Sequence, residues 1–221
     1  MLAAFPHPYW GWAARTWRAL QQIVAGDLEA AERSATEAAE LRPGVAAAAA
    51  CLAVNTVNIR LYQARSADVV PLLRGAAAAH PEIPTYRAVL ALALADHGVL
   101  YEAAALVAEF AATEFTALPD DTNRFLGLAV LAHTAAAVGA ADVAPLLAEL
   151  LEPYRDQWVV LNCYGGGGAV WGPTSHALAR LELLTGDEAA AAASFAAAAR
   201  AAAASPPIAA RIAADRATTN A

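Results

Sequence analysis

The chain has 221 residues and a formal net charge of −7, and its 14 basic residues are all arginine, scattered singly. No basic stripe exists to neutralise phosphates, so direct nucleic-acid binding by this chain is not expected. The 65 alanines give a strong helical bias, and the length suits one large domain or a short repeat array.

The opening MLAAFPHPYW lacks a basic leader, and Pro6 and Pro8 interrupt the apolar run that a signal peptide needs. A cytoplasmic protein is expected. The first helix carries Phe5, Tyr9, Trp10 and Trp12, where a terminal repeat should be polar. An exposed apolar patch of this kind marks an interface. These four are expected to dock on an upstream domain, a protein partner or, in a homodimer, a second copy of the chain.

Next comes GDLEAAERSATEAAELRPG, Gly26 to Gly44. Gly26-Asp27 turns the chain into a second helix with Ala31, Ala35 and Ala38 on one face, and Pro43 stops it. The same grammar recurs downstream. Leu90-Ala91 is followed by Ala103 and Val107, Leu131-Ala132 by Ala144 and Ala148, and Leu178-Ala179 by Ala191 and Phe195. Small residues at such sites let two helices cross at close range.

Turns fall at Gly26, Gly98, Gly139 and Gly186, with a weaker one at Arg65, giving spacings of 39, 33, 41 and 47 residues. The pattern resembles the tetratricopeptide repeat, a helical hairpin of about 34 residues. The predicted fold is all-α: a tetratricopeptide-like right-handed superhelix of about five hairpins, at 9–43, 46–80, 84–115, 122–152 and 170–204. A capping helix at 206–217 and a disordered tail at 218–221 follow. The 17 uncharged residues from Phe125 to Ala141 include His133 and Thr134 and are short for a bilayer. They read as a core helix, and no membrane span is expected.

Between the fourth and fifth hairpins lies NCYGGGGAVWGP, Asn162 to Pro173. A phosphate-binding P-loop requires a lysine that this chain lacks, and a dinucleotide fingerprint would need a third spaced glycine. QWVVLN, 157–162, has the character of a strand, but no βαβ unit follows. The segment 153–169 is therefore expected to be a long permissive connection. Its aromatics Trp158, Tyr164 and Trp171 either pack beneath it or offer a binding surface.

Chemistry is sparse. His7, His80, His97, His133 and His176 show no ligand spacing, and Cys51 and Cys163 form no CxxC pair. Asp120-Asp121 reads as a helix start. No catalytic residue, metal or cofactor is expected. The repeat frame instead nominates a concave groove lined by Asn55, Ile59, Tyr62, Leu92, Asp96, His133, His176 and Arg180. These residues either bind an extended peptide or a small effector, or are solvated or buried by a different twist.

A narrower resemblance rests on PYWGWAARTWRAL…GDLEAAERSATEAAEL, HPEIPTYRAVLALALADHGVLYEAAALV, LPDDTNRFLGLAVLA and LLEPYRDQWVV…GGGGAVWGPTSHALARLELLTGDEAAAAASFAAA, in that order. The chain resembles the C-terminal tetratricopeptide-like repeat region of large bacterial signal-transduction ATPase regulators, of LuxR-type or adenylate-cyclase-associated kind. It carries neither their ATPase nor their output domain. The resemblance implies a non-catalytic module acting in signal transduction or transcription regulation through a protein or peptide partner. The alternative is a domain that senses a small molecule in the groove or beside the glycine-rich segment.

Overall fold

In the computed structural model, residues 8–121, 123–162 and 168–217 are described. Phe5, Cys163, Tyr164 and Gly165 to Gly167 lie outside them, as does the tail expected at 218–221. Eleven α-helices are described: α1 (Pro8–Ala25), α2 (Leu28–Glu40), α3 (Ala46–Tyr62), α4 (Val70–Ala79), α5 (Thr85–Asp96), α6 (Leu100–Ala111), α7 (Arg124–Val138), α8 (Ala144–Leu151), α9 (Thr174–Leu184), α10 (Glu188–Ala201) and α11 (Pro206–Ala217). Strands β1 (Trp158–Asn162) and β2 (Gly168–Pro173) lie between α8 and α9. The architecture is mostly helical, consistent with the all-α expectation, with one small two-stranded sheet.

The turns form where the sequence placed them. Gly26, Gly98, Gly139 and Gly186 all adopt positive φ, between 73° and 86°, and Ala64 takes φ 55° beside the weaker Arg65 turn. Gly-Asp starts two helices in the same way: Asp27 accepts from the Ala30 amide at 3.1 Å and Asp187 from the Ala190 amide at 3.0 Å. Each cap satisfies an otherwise orphaned amide and contributes about 1 kcal/mol.

Burial follows the small-residue pattern. Ala91, Ala103, Ala132, Ala144, Ala179 and Ala191 are all buried where helices meet. Helices α5 and α7 are buried on almost every side, from Ala88 to Ala95 and from Leu126 to Ala135, as expected of helices that are apolar all round. The stretch from Phe125 is thus a core helix, and no described helix is long and apolar enough to cross a membrane. Along the array α5 packs on α7 and α7 on α9, while α2, α6, α8 and α10 back the preceding helices.

Two features turn this array into a filled body. Helix α11 packs against α10 and also against α1 and α3, and the buried Ser205 hydroxyl donates to the Val24 carbonyl at 2.7 Å. The C-terminal helix therefore meets the N-terminal hairpin. The β-hairpin occupies the interior, packing on α1, α3, α7, α9 and α10.

Helix α3 anchors the hairpin at one residue. The Asn58 amide donates to the Val170 carbonyl at 3.1 Å and accepts from the Val170 amide at 3.3 Å, while the Tyr62 hydroxyl donates to the same carbonyl at 2.7 Å. A side chain thereby does the work of a third strand.

The strands pair antiparallel, with an irregularity between Val159 and Val160 that leaves Trp171 as the extra residue of β2. Only one residue of the glycine run has a described reason to be glycine. A Cβ at Gly168 would run into the Leu161 carbonyl oxygen of the paired strand.

Candidate functional site

Helices α3 and α4 make little direct contact, and a cavity of about 420 Å³ lies between them. Alanines create the space: Ala50 and Ala53 of α3 face Ala76 of α4, with Val57 and Leu73 behind. The starts of α5 and α7 contribute Thr85, Tyr86, Val89, Asn123 and Leu126. The β-hairpin closes the remaining wall with Leu161, Asn162 and Trp171. Leu72, 42% exposed, and the exposed Asn162 mark its rim.

Bulges occur beside functional sites because they re-aim one side chain, and Trp171 is the bulged residue that lines the cavity. Its buried indole Nε1 has no hydrogen-bond partner, and neither has the hydroxyl of Thr85, a residue only 5% exposed. Each orphaned buried group costs about 1–3 kcal/mol. Both atoms are sealed off from solvent, as are the unpartnered Trp12 Nε1, Asn55 Oδ1 and Glu182 Oε2 elsewhere in the fold. Among the described residues, the lining carries no Asp, Glu, His, Arg, Cys or Ser, and so no acid–base pair and no strong metal ligand.

A second centre lies under α11. His176 Nε2 is 2.9 Å from Asp215, Arg180 is 3.4 Å from the same carboxylate and 3.5 Å from His133 Nδ1, and Arg211 reaches both oxygens of Asp96 at 2.9 and 3.2 Å. The two imidazoles stand edge to face, centroids 4.6 Å apart.

Burial, then the neighbouring His176, Arg180 and Arg211 charges, hold His133 well below the ordinary imidazole range. Burial also lowers His176, against the opposing pull of Asp215. For Asp215 burial acts upward, but the His176 hydrogen bond and the two guanidinium groups prevail and lower it. Ligand atoms of His133, His176 and Asp215 lie within 4.8 Å of one another, the reach of a metal site. The Arg180 guanidinium already supplies a fixed positive charge there, which disfavours a cation.

This geometry redistributes the residues nominated from sequence. Asn55, Ile59, Leu92, His133 and His176 are buried and do not line an open groove. Asn55 donates to the Cys51 carbonyl at 2.8 Å, Ile59 packs with Ile23 and Ala31, and Leu92 sits in the main core. Tyr62 holds Val170, its phenol pKa pushed up by burial. Asp96, His133, His176 and Arg180 do converge, but on α11, which covers that face. Arg211 and Asp215 of α11 are their partners, and the repeat frame did not nominate them. Their i, i+4 spacing beside Ile208 and Ile212 was the available signal.

At the other end Trp12 is core, 1% exposed beneath the Arg42 guanidinium, so it belongs to no docking patch. Tyr9 is half-buried against it, whereas Trp10 and the unnominated Trp17 are about half exposed. Of the loop aromatics, Trp158 packs beside the Phe195 cluster and Trp171 faces the cavity. No family model, curated protein or solved structure matches the chain.

Proposed function

We propose that the chain is a non-catalytic, tetratricopeptide-like helical-repeat module that senses a small molecule in the cavity between α3, α4 and the β-hairpin. The observation that carries this reading is the cavity itself: about 420 Å³ lined mostly by apolar side chains, with Thr85, Tyr86, Asn123 and Asn162 as its polar members. Ligand sites are typically concave, mostly apolar and provided with a few polar groups that orient the occupant. An extended peptide would instead need an open concave face, and α11 covers that one.

Occupancy would be transmitted through the β-hairpin, which touches both the cavity and the interior faces of α1 and α9. The natural output is a change in how the module engages a regulatory partner, such as an ATPase or output domain. Trp10 and Trp17 support a second reading as an interaction module: they are seven residues apart on α1 and both about half exposed, which puts them on one helix face.

A thermal-shift screen of small molecules tests the first reading, run in parallel on the wild-type chain and on Ala53→Phe, which fills the cavity. Hits are expected to stabilise the wild type and to leave the variant unmoved. Hits that shift both equally would place binding elsewhere.

A further inference from the structure

We infer that the cavity takes an uncharged hydrocarbon-like molecule, which packs between α3 and α4 where the other hairpins pack helix on helix; this rests on the small-molecule reading above. Helices α1 and α2, α5 and α6, α7 and α8, and α9 and α10 close on one another directly, whereas α3 and α4 stand apart. The connection between them is the cause. A short 3-10 turn, Ser66–Val69, packs on α3, and α4 leans on α5 instead.

The parted faces are apolar by sequence. Ala50, Ala53, Val54 and Val57 recur at i, i+3, i+4 and i+7, which makes one stripe along α3. Leu72, Leu73 and Ala76 answer it from α4. Such a stripe is the face that a helix buries on its neighbour. Here Ala50, Ala53 and Val54 are only half-buried, and Leu72 is exposed. An apolar occupant displaces water from both faces and supplies the packing that the hairpin lacks.

The same wall excludes ions. Among the described residues it carries no carboxylate, guanidinium or imidazole, and a charge buried without a counter-charge is costly. Charged residues next to the lining in sequence are engaged elsewhere: Arg74 with Glu102, Glu82 with His80, Arg87 with Glu109, and Arg124 with the Leu118 carbonyl. Polyhydroxy compounds fit no better, because most of their hydroxyls would face alanine, valine and leucine.

Size narrows the class. The stripe from Ala50 to Val57 runs about 10 Å along the helix axis. The volume of 420 Å³ holds roughly a dozen water-sized groups at about 30 Å³ each. An alkylbenzene meets both limits.

The test is calorimetric titration of the full chain at pH 8 with butylbenzene and with 4-butylbenzoate, the same skeleton carrying one ionised carboxylate. Butylbenzene is expected to bind more than about tenfold tighter than 4-butylbenzoate. Hydrogen exchange should show it slowing the amides of α3 and α4 above all others. Two fillers are each expected to abolish binding: Ala53→Phe from α3 and Ala76→Leu, a smaller intrusion from α4. Circular dichroism checks that both remain folded.

4-Butylbenzoate binding as tightly as butylbenzene, with both probes lost in the folded fillers, would overturn the uncharged class while leaving the cavity as a binding site. No binding of either probe to the wild type, or undiminished binding to the fillers, would overturn the cavity reading and the class together.

Discussion

Two regions of the protein's interior are built in opposite ways. Under α11, His133, His176, Arg180, Arg211, Asp96 and Asp215 bring charges inside, and each is placed against a partner. Beside the β-hairpin, the described lining of the cavity carries no charged side chain and is mostly apolar. A paired network holds a chosen arrangement of helices, because removing one member strands the others. An uncharged, mostly apolar space fixes no such arrangement of its own. The first centre therefore reads as a latch for the C-terminal helix, and the second as a place for something from outside.

The largest effect that could break this contrast is expected at the latch. Asp215→Ala leaves Arg180 and His176 without their shared carboxylate, and breaking a buried pair on one side costs about 3–5 kcal/mol. Chemical denaturation should show that loss, with α11 the first segment to exchange its amides. Wild-type stability in this variant would mean the network is no latch.

Next, Asn58→Ala removes both bonds to Val170, and at about 1 kcal/mol each the loss should be about 2 kcal/mol. Hydrogen exchange should localise it to β1 and β2, since α3 remains held by its own core contacts. A uniform change across the protein would argue against a side-chain anchor for the hairpin.

The third effect is titration. His133 and His176 are both held below the ordinary imidazole value, so as pH falls below about 6.5 the unfolded chain takes up protons first. The unfolded state then binds more protons than the folded one, and stability falls with pH. The expected slope is roughly 1.4 kcal/mol per pH unit for each imidazole still neutral in the fold, ending once its folded pKa is passed. Asp215 acts in a separate window: its pKa is lowered, so its contribution is lost only below about pH 4. His133→Asn should flatten the decline between pH 6.5 and 5, and an unaltered slope would mean that other groups cause it.

The smallest effect is expected at an orphaned group that the latch, with all its members paired, does not have. Thr85→Val replaces an unpartnered buried hydroxyl by a methyl group, so the ligand-free protein should gain up to about 1 kcal/mol. A loss of more than that would show that the hydroxyl already has a partner.

Much of the helical layout was legible because its signals are local. Glycine with positive φ, aspartate capping and alanine at close crossings all act within one or two turns of helix, and they place α1, α2 and α5 to α11 close to where they occur. The N-terminal aromatics show the limit of such signals. Trp10, Trp12 and Trp17 are alike in type and neighbourhood, yet only Trp12 lies on the stripe with Thr16, Ala19 and Ile23 that faces the core.

The candidate site was legible only in fragments. Trp171 was singled out as an aromatic that would pack or bind, but Thr85 carried no signal, since a lone threonine at a helix start is commonplace.

What the sequence by itself determined is the set of helices, their turns and the small residues at their contacts, because those depend on neighbours close along the chain. What only the tertiary structure decided is which faces stay open. Arg211 meets Asp96 across 115 residues and Asn58 meets Val170 across 112, separations at which no local pattern constrains the pairing. The way α11 and the β-hairpin fill the interior follows from such contacts. So does the cavity, which exists because the array closes on itself and leaves α3 and α4 apart.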